Sequence, residues 1–265
     1  MLWWSAWQAA QPGKPAPTLP VSAMQRVPLP ETVPAGVEVW RFRLNLDMPI
    51  QARDLSVLSA DEHVRALRFH RHEDRVRAVA TRAALRRLLA SCVRRTPESL
   101  CFAVNRHGKP RIDDEDGVEF NVSHSGSYAL IALSTLGPIG VDIEHLDRRL
   151  NVKQLGSYVF TRLERLVALQ ESNEAHDFLA RWVAKESVLK ALGQGISEHL
   201  QTVSILPGNG NGEGYDVVSG LPEWRGIKAW PIGAPAGYRA ALALGLPESF
   251  TPLDRKRAGA SKSAS

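Results

Sequence analysis

The chain has 265 residues, a formal net charge of +5 and a sequence pI of about 9.4. Its hydrophobic and charged fractions, 44% and 23%, are those of a folded globular protein, and no apolar run approaches the ~18–20 residues that cross a bilayer. The two cysteines lack metal-ligand spacing with the eight histidines, which argues against a zinc site. Residues 1–4 lack the basic segment of a secretory signal, so we expect a cytoplasmic protein without a membrane partner. The positive charge favours an anionic partner.

The first part of the chain combines a proline-rich segment, a strand and a helical region. Residues 1–34 contain seven prolines and no sustained period, which predicts an extended or disordered leader. Residues 37–44 alternate apolar and basic side chains, as a half-buried strand does. Ser59 followed by acids has the form of a helix N-cap, and helical spacing continues to about Val93. One long helix or two in sequence would fit.

The remaining elements include a hairpin and a second set of helices and strands. Residues 105–110 are a turn by composition, and strands over 118–122 and 128–133 flank a Ser-His-Ser-Gly-Ser segment, which predicts a hairpin. We predict a strand over 139–144, helices over 161–169 and 176–192, and strands over 203–206, 215–218, 227–232 and 238–244. The tail after Pro247 is small, polar and basic, and we expect it to be disordered.

This order of elements predicts an α+β fold whose second half repeats the plan of the first. We expect a leader over 1–34, an N-terminal α/β subdomain over 35–137, a C-terminal α/β subdomain over 138–247 and a tail over 248–265. The boundary near Pro138 suggests a cleft between the two halves.

Two groups of charged residues lie about forty residues apart. Asp142 and Glu144 end an apolar run, and residues two apart in a strand point to the same face. Glu186 and Lys190 lie one turn apart in a predicted helix. Taken alone, the first pair is more often a solvated sheet edge, and the second an exposed ion pair that contributes only ~0.2–0.5 kcal/mol. If the helix packs beside the strand end, the acids offer hard oxygen ligands suited to Mg²⁺ and the lysine suits phosphate.

Basic residues form a second group. Eight arginines lie between positions 65 and 87, and a solvated helix face is the favoured interpretation for most of them. A subset on one side could bind a phosphate monoester through bidentate contacts. Lys109, between a glycine and a proline, projects a point charge or is one of many surface lysines. His124 donates to phosphate or packs as a neutral turn residue, and the residues alone leave both open.

Several of these segments together resemble the 4′-phosphopantetheinyl transferases. The family's two signature motifs are similar to GVDIE at 140–144 and WVAKESVLK at 182–190. Its upstream elements have counterparts in the same order: RF at 68–69, ED at 73–74 with Arg77, GKP at 108–110 and FNVSHS at 120–125. The likeness runs from about Ser59 to Tyr238. It favours the long, two-lobed, monomeric type that activates peptide and polyketide synthases.

The resemblance implies a reaction, a fold and a set of roles. The reaction is transfer of the 4′-phosphopantetheine arm from coenzyme A to a serine of an apo acyl or peptidyl carrier protein, releasing adenosine 3′,5′-bisphosphate. The fold is two similar α/β subdomains in a pseudo-twofold arrangement. Asp142, Glu144 and Glu186 would hold Mg²⁺, or Mn²⁺ in its place, on the pyrophosphate. Glu186 would also be the general base, with Glu164 a lesser candidate.

The remaining roles concern the rest of coenzyme A and the carrier. Lys190 and Lys109 would contact the pyrophosphate, and the nucleotide end with its 3′-phosphate would be held by Arg65, Arg77, Ser123 and His124. A separate hypothesis is that acidic carrier helices dock beside the arginine-rich region, which includes Arg82 and Arg86. Two positions depart from the pattern: Glu62 stands where some relatives have a basic residue, and Ala78 where some have a hydroxyl.

Two other classes of function fit the charged residues. Mg²⁺-dependent nucleases or phosphodiesterases also combine paired acids with a glutamate and a lysine, but usually place the latter two on a strand. The helical spacing of Glu186 and Lys190 favours the transferase, without a nucleic-acid partner. A non-catalytic module that binds a nucleotide or a carrier protein is the third hypothesis, and the intact set of acids argues against it.

Overall fold

The computed structural model describes residues 24–112, 117–146, 152–168, 174–194, 199–208, 214–221, 224 and 226–245. These residues form a mixed α/β fold. Its strands are β1 (Gln25–Arg26), β2 (Val37–Arg43), β3 (Phe102–Val104), β4 (Pro110–Ile112), β5 (Glu119–Ser125), β6 (Tyr128–Ser134), β7 (Ile139–His145), β8 (Val203–Pro207), β9 (Tyr215–Ser219), β10 (Ile227–Pro231) and β11 (Tyr238–Gly245). Its helices are α1 (Ala52–Leu55), α2 (Ala60–Leu67), α3 (His72–Val93), α4 (Val152–Val159), α5 (Arg162–Ala168) and α6 (Glu174–Leu192), with a short 3-10 helix at Pro97–Ser99.

The strands form two larger antiparallel sheets and one short hairpin. The first sheet has the order β1-β2-β6-β5, the second has the order β7-β11-β10-β9-β8, and β3 pairs with β4. Consequently β5 and β7 are end strands of different sheets, although they follow one another closely along the chain. The two strands meet edge to edge, and we call this contact between Glu119–Ser125 and Ile139–His145 the seam between the two halves.

Each large sheet carries a long helix on one face and packs against the other sheet through its second face. Leu85 and Leu89 of α3 share a core with strands of the first sheet, and Val183 and Leu189 of α6 share a core with strands of the second. A further core between the sheets contains residues of both, including Val39, Leu130, Val141 and Leu242. Burial on both faces accounts for the nearly continuous apolar runs of β6 and β11.

The helix start predicted at Ser59 is confirmed, and the helical region that follows is two helices. The Ser59 Oγ accepts from Glu62 N at 3.4 Å, and Glu62 Oε2 accepts from Ser59 N at 3.0 Å, which together form a capping box for α2. α3 begins at His72 and ends at Val93; the next residue, Arg94, has a left-handed φ of 55°, which stops the helix.

The prediction of an unstructured leader is wrong for its last part. Residues 25 and 26 pair with β2, and Val27 is only 3% exposed. Trp230 Nε1 of the second sheet donates to Thr32 Oγ1 at 3.0 Å. A two-residue edge strand tolerates neighbouring prolines because their missing N–H groups face outward, and composition alone does not reveal such a strand. Residues 1–23 and the tail from residue 246 onward lie outside the described residues.

The other predicted elements are present in the structure. The predicted hairpin is β5 and β6, and the later strands match β7 to β11. The sequence patterns missed the short elements α1, α4, β3 and β4. Over the described part of the chain, no helix is long and apolar enough to span a membrane.

A glycine allows α6 to approach β7 closely. A Cβ built at Gly140 would collide with the carbonyl oxygen of Ser187 and the backbone nitrogen of Ala191. Both atoms belong to the helix backbone, so neither can rotate away as a side chain would. The short distance brings the last turns of α6 beside the acids of β7.

Gly140→Ala is therefore expected to lower the free energy of unfolding by about 2–4 kcal/mol, since overpacking forces the helix away from the strand. Urea unfolding monitored by circular dichroism would measure the change. Gly220→Ala is the matched control, because a Cβ there meets no atom within 4 Å. Equal effects of the two substitutions would contradict this account of the packing.

Candidate active site

Side chains, rather than a backbone ladder, join β5 to β7. Alternate residues of β5 point toward β7, because side chains alternate along a strand. Three of them accept hydrogen bonds from N–H groups of β7: Asn121 Oδ1 from Val141 at 3.0 Å, Ser123 Oγ from Ile143 at 3.3 Å and Ser125 Oγ from His145 at 3.1 Å. The two sheets are thereby fixed in register along the seam.

The same serines also contact the acids of β7. Ser123 Oγ donates to Asp142 Oδ1 at 2.7 Å, and Ser125 Oγ donates to Glu144 Oε2 at 2.7 Å. Asp142 is 1% exposed, whereas Glu144 is half-buried. The hydroxyl of Ser123 thus belongs to the carboxylate cluster in this structure, and its contact with the nucleotide stays a prediction.

Helix α6 brings a third acid and a lysine to this point. Lys190 Nζ lies 2.5 Å from Asp142 Oδ1, 3.2 Å from Ser123 Oγ and 3.8 Å from Glu186 Oε2. Glu186 is 8% exposed. The structure therefore brings the four residues Asp142, Glu144, Glu186 and Lys190 together at the seam.

The cluster is electrostatically crowded. Burial raises the pKa of Glu186 to about 8, and the nearby charges of Asp142 and Glu144 add to this effect, while Lys190 opposes it. Burial also raises the pKa of Glu144, against the hydrogen bond from Ser125. Three carboxyl groups thus share a partly desolvated site whose contacting cation is a single ammonium group, and such a site favours a further cation or a proton.

The donor set of this cluster fits a hard divalent cation. Asp142 Oδ2 is buried and has no hydrogen-bond partner, so one carboxylate oxygen remains free to ligate. Carboxylate oxygens are the ligands that Mg²⁺ prefers, and the crowded negative charge would be relieved by it. In the conformation described, the acids converge on Lys190, and no three His, Cys, Asp or Glu side chains among the described residues are arranged around one metal position.

Arg77 and His124 connect this cluster to the neighbouring helix. Arg77 Nη1 pairs with Asp74 at 2.5 Å, and its Nη2 donates to the carbonyl of Gly126 in the β5–β6 turn at 3.4 Å. The pKa of His124 is lowered, chiefly by burial and also by the charges of Arg77 and Lys190. A neutral imidazole can still donate or accept one hydrogen bond at each nitrogen.

A pocket of about 210 Å³ opens beside His124, between α2, α3 and β5. Arg65, Thr81 and Arg82 contribute polar groups to its wall, and Phe69 and Pro110 contribute apolar surface. Basic and apolar groups around one cavity suit an anionic ligand with a flat ring. The expected phosphate-binding residues Arg65 and His124 therefore line one pocket, and Arg77 is not among the lining residues.

Lys109 is not brought to the carboxylates. Its Nζ donates to the carbonyls of Ile139 and Ala191, at 3.0 Å each, and burial lowers its pKa to about 8. In the conformation described, the amino group satisfies backbone carbonyls of β7 and α6, and its contact with pyrophosphate stays a prediction. The rigid Gly-Lys-Pro turn directs this side chain inward.

Glu164 and Arg86 are also structural rather than catalytic or docking residues. Glu164 is fully buried: Oε1 accepts from Ile205 N at 2.8 Å, and Oε2 lies 2.7 Å from Lys185 Nζ. A fully buried carboxylate that is paired with an ammonium group cannot reach a substrate hydroxyl in this conformation, so the structure does not support Glu164 as the general base. Arg86 is 1% exposed and donates to Glu62 and to the carbonyls of Pro97 and Leu100, so it cannot meet a carrier helix.

Sequence reasoning missed the roles of Asn121, Ser125 and Thr81. The first two could have been noticed, because polar residues at every second position of an otherwise apolar strand indicate a polar partner on that face. Thr81 carried no such signal, since a single hydroxyl in a long helix is common. Its Oγ1 is buried in the pocket wall without a hydrogen-bond partner.

Comparison with known proteins agrees with this geometry. A model of the 4′-phosphopantetheinyl transferase superfamily matches residues 138–238, and a model of the N-terminal part of a 4′-phosphopantetheinyl transferase matches residues 51–136. A Synechocystis protein named as a 4′-phosphopantetheinyl transferase is 35% identical over 178 residues, which are 62% of this chain and 72% of that relative. The chain belongs to the 4′-phosphopantetheinyl transferase superfamily.

Further relatives place it among the long transferases. The 4′-phosphopantetheinyl transferase HetI of Nostoc is 36% identical over 175 residues, covering 63% of this chain and 73% of HetI. The 4′-phosphopantetheinyl transferase Sfp of Bacillus subtilis is 26% identical over 170 residues, covering 62% of this chain and 75% of Sfp. The residues of the seam lie within the two segments that the family models match.

Glu186→Gln is expected to stabilise the ligand-free protein in a pH-dependent manner. The folded pKa of Glu186, about 8, lies above its ordinary value of 4.5, so the folded state binds more protons between these values. The stability that this gives is fully present below about pH 4.5 and is lost as the pH rises to about 8. Glutamine has no such loss, so its advantage in unfolding free energy should grow by a few kcal/mol between pH 5 and pH 8.

Urea unfolding in the presence of a chelator would measure this advantage at several pH values. Asp216→Asn is the control, because Asp216 lies on β9, three strands away from β7. The difference in unfolding free energy between Asp216→Asn and the parent should not grow as the pH rises. If the unfolding free energies of Glu186→Gln and the parent changed equally with pH, the result would contradict the crowding of the acids.

Proposed function

We propose that the protein transfers the 4′-phosphopantetheine arm of coenzyme A to a serine hydroxyl of an apo acyl or peptidyl carrier protein, releasing adenosine 3′,5′-bisphosphate. The observation that supports this most is the convergence of Asp142, Glu144, Glu186 and Lys190 at the seam, beside a basic pocket. Family membership agrees with it. A negative cluster next to a positive pocket suits a cofactor that has a pyrophosphate and a separate phosphate monoester.

The acids and the lysine have distinct roles in this proposal. Asp142, Glu144 and Glu186 would hold Mg²⁺, with Mn²⁺ as an alternative, and the bound cation would neutralise charge on the phosphoryl oxygens. Lys190 contacts a pyrophosphate oxygen as a point charge. Because Lys190 now neutralises Asp142, it must exchange that partner for phosphate when the substrate binds.

Glu186 is the proposed general base. It takes the proton of the carrier serine while the serine oxygen forms a bond to the phosphorus next to pantetheine and the bridging P–O bond of the pyrophosphate breaks. The position of Glu186 at the seam, beside Asp142 and Lys190, supports this role.

The nucleotide end lies in the basic pocket. Arg65 and His124 line it, and Arg77 lies beside the turn that carries His124. These residues are proposed to hold the adenosine and its 3′-phosphate. Charge-assisted and bidentate contacts from arginine are well suited to a phosphate monoester.

The two halves of the chain, its monomeric state and its place of action can also be inferred. The two halves, over 35–137 and 138–247, are inferred to be similar α/β subdomains in a pseudo-twofold arrangement, because each has an antiparallel sheet with one long helix on its outer face. A monomer suffices, since β5, β7 and α6 of one chain build the site. We infer that it acts in the cytoplasm on protein carriers, without a nucleic-acid or membrane partner.

Incubation with coenzyme A, Mg²⁺ and an apo carrier protein is expected to increase the mass of the carrier by one phosphopantetheine arm. Mass spectrometry of several carrier types measures this gain, and a carrier whose acceptor serine is replaced by alanine is the control. Absence of the gain from all carriers, with cleavage of DNA instead, would favour a nuclease.

Asp142→Asn is expected to reduce the rate of transfer by about 1,000-fold or more, because it removes the charge that faces Lys190 and the proposed cation. Asp216→Asn on β9 should keep the parental rate. Circular dichroism would verify that both variants fold. Near-parental turnover of Asp142→Asn would remove this residue from the proposed site.

Chelation of divalent cations is expected to stop transfer, and added Mg²⁺ should restore it. The expectation follows from the crowded acids and the free Oδ2 of Asp142. Addition of the chelator already saturated with Mg²⁺ is the control for nonspecific effects. Full activity after exhaustive chelation would show that Lys190 alone neutralises the phosphates.

A further inference from the structure

Ser125 makes two hydrogen bonds across the seam with one oxygen atom. Its Oγ accepts from the backbone N–H of His145 at 3.1 Å and donates to Glu144 Oε2 at 2.7 Å. A hydroxyl has one hydrogen to donate, and here the N–H of His145 takes one of its acceptor positions. The single hydrogen of Ser125 is therefore committed to the carboxylate of Glu144.

This bond restricts how Glu144 can act as a ligand. A carboxylate oxygen that accepts a short hydrogen bond is turned toward its donor, because the hydrogen lies near the plane of the carboxylate. With Oε2 turned toward Ser125, a cation at the acids meets chiefly Oε1. Rotation of the carboxylate would bring both oxygens to the cation, but it would break the bond to the serine.

Binding through one oxygen or through two suits different divalent cations. Mg²⁺ requires nearly octahedral coordination at about 2.0–2.1 Å, and a carboxylate that binds through both oxygens fits this geometry poorly. Ca²⁺ takes about six to eight oxygens at about 2.3–2.6 Å and readily accepts such a carboxylate. A restraint that keeps Glu144 to one oxygen therefore favours the smaller cation.

The neighbouring acid gives independent evidence that a ligand completes this site. Asp142 is 1% exposed, and its Oδ1 contacts Ser123 Oγ and Lys190 Nζ. Its Oδ2 is buried without a hydrogen-bond partner, and such a group is costly unless something binds it. Two donors thus orient Asp142, whereas Glu144 is half-buried at the end of the strand and relies more on its serine.

We propose that Ser125 is a positioning residue that keeps Glu144 to one ligating oxygen and thereby favours Mg²⁺ over Ca²⁺ at the seam. The serine acts on the cation only through the carboxylate. The inference rests on the proposed function in one respect, which is the assignment of Glu144 to the divalent cation. It adds that β5, a strand of the first half, determines which cation the acids of the second half prefer.

Competition for Mn²⁺ tests the inference without the reaction. Electron paramagnetic resonance measures free Mn²⁺ in the presence of the protein, and displacement by Mg²⁺ and by Ca²⁺ gives the two dissociation constants. Ser125→Ala should weaken Mg²⁺ about tenfold, since groups that orient metal ligands contribute at least this much to affinity, and should leave Ca²⁺ unchanged or tighter. An unchanged ratio of the two affinities, or no binding of Mn²⁺ by the parent, would overturn the proposal.

Asn121→Ala is the matched control. Asn121 Oδ1 accepts from Val141 N at 3.0 Å as Ser125 accepts from His145, but the residue in the position of Glu144 is then Gly140, which has no carboxylate. Val141 is buried, whereas His145 is exposed to water that can replace the lost acceptor. Asn121→Ala should therefore lower the unfolding temperature at least as much as Ser125→Ala and keep the parental ratio of affinities.

An equal fall in this ratio for both variants would assign the effect to the seam as a whole and overturn the role of Ser125. Ser125→Thr is the conservative variant, because threonine keeps the hydroxyl and suits a strand. It should keep the parental ratio. A fall in the ratio for a folded Ser125→Thr protein, as large as that for Ser125→Ala, would contradict a role of the hydroxyl.

Kinetics separates this inference from the proposed function. With coenzyme A and an apo carrier protein, Ser125→Ala should raise the Mg²⁺ concentration that gives half-maximal transfer about tenfold, with a much smaller change in kcat at saturating Mg²⁺. Equal half-maximal concentrations for Ser125→Ala and the parent would overturn the inference but keep the function. A changed ratio of affinities in the Mn²⁺ competition, without any transfer by the parent, would keep the inference and overturn the function.

Discussion

The replacement of a backbone ladder by side chains along the seam is the interaction on which the active site depends. A continued β-sheet would pair β5 with β7 through carbonyl groups, whereas here Asn121, Ser123 and Ser125 supply the acceptors. Each N–H of β7 that lost its acceptor would cost about 1–3 kcal/mol, so the three polar side chains are needed for the two halves to meet at all. Because the hydroxyls of two of them also donate to the acids, the contact that joins the halves is the one that orients the carboxylates.

Helix α6 is fixed to the same seam from both sides. Gly140 allows its backbone to approach β7, and the turn that contains Asn105 and Lys109 holds its C-terminal end. Asn105 Nδ2 donates to the carbonyl of Gly193, and Lys109 Nζ to that of Ala191, both at 3.0 Å. The last carbonyls of a helix lack partners within it, so these donors satisfy groups that would otherwise need water. The first half therefore positions a helix of the second, and the site requires both halves.

Opposite charges are separated across a short distance in this site. The acids at the seam outnumber the one ammonium group that contacts them, and the pocket between α2 and α3 has more arginines than carboxylates in its wall. His124 lies close enough to Asp142 and Lys190 for both charges to affect its pKa. Each region is unfavourable by itself, since buried like charges raise the free energy of the folded state. A ligand that brings a cation to one end and a phosphate to the other relieves both. The charges of the site are thus arranged to complement those of the substrate and its cation, as expected for electrostatic preorganisation.

The sequence predicted the four charged residues at the seam but not which charged neighbours are structural, and the reason lies in long-range hydrogen bonds. Lys185 and Lys190 stand in one motif, yet Lys185 is fully buried and donates to the carbonyls of Val159, Leu200 and Val203. A lysine has three N–H donors, so three carbonyls and its ion pair with Glu164 exhaust it. Lys190 contacts a hydroxyl and carboxylates and remains partly exposed, so it can exchange a partner for substrate. Spacing along a helix shows that both lysines can reach a neighbour. Only the folded chain shows that Lys185 is buried among backbone carbonyls, whereas Lys190 is partly exposed and contacts side chains of the site. That difference separates a structural lysine from one that can take part in the reaction.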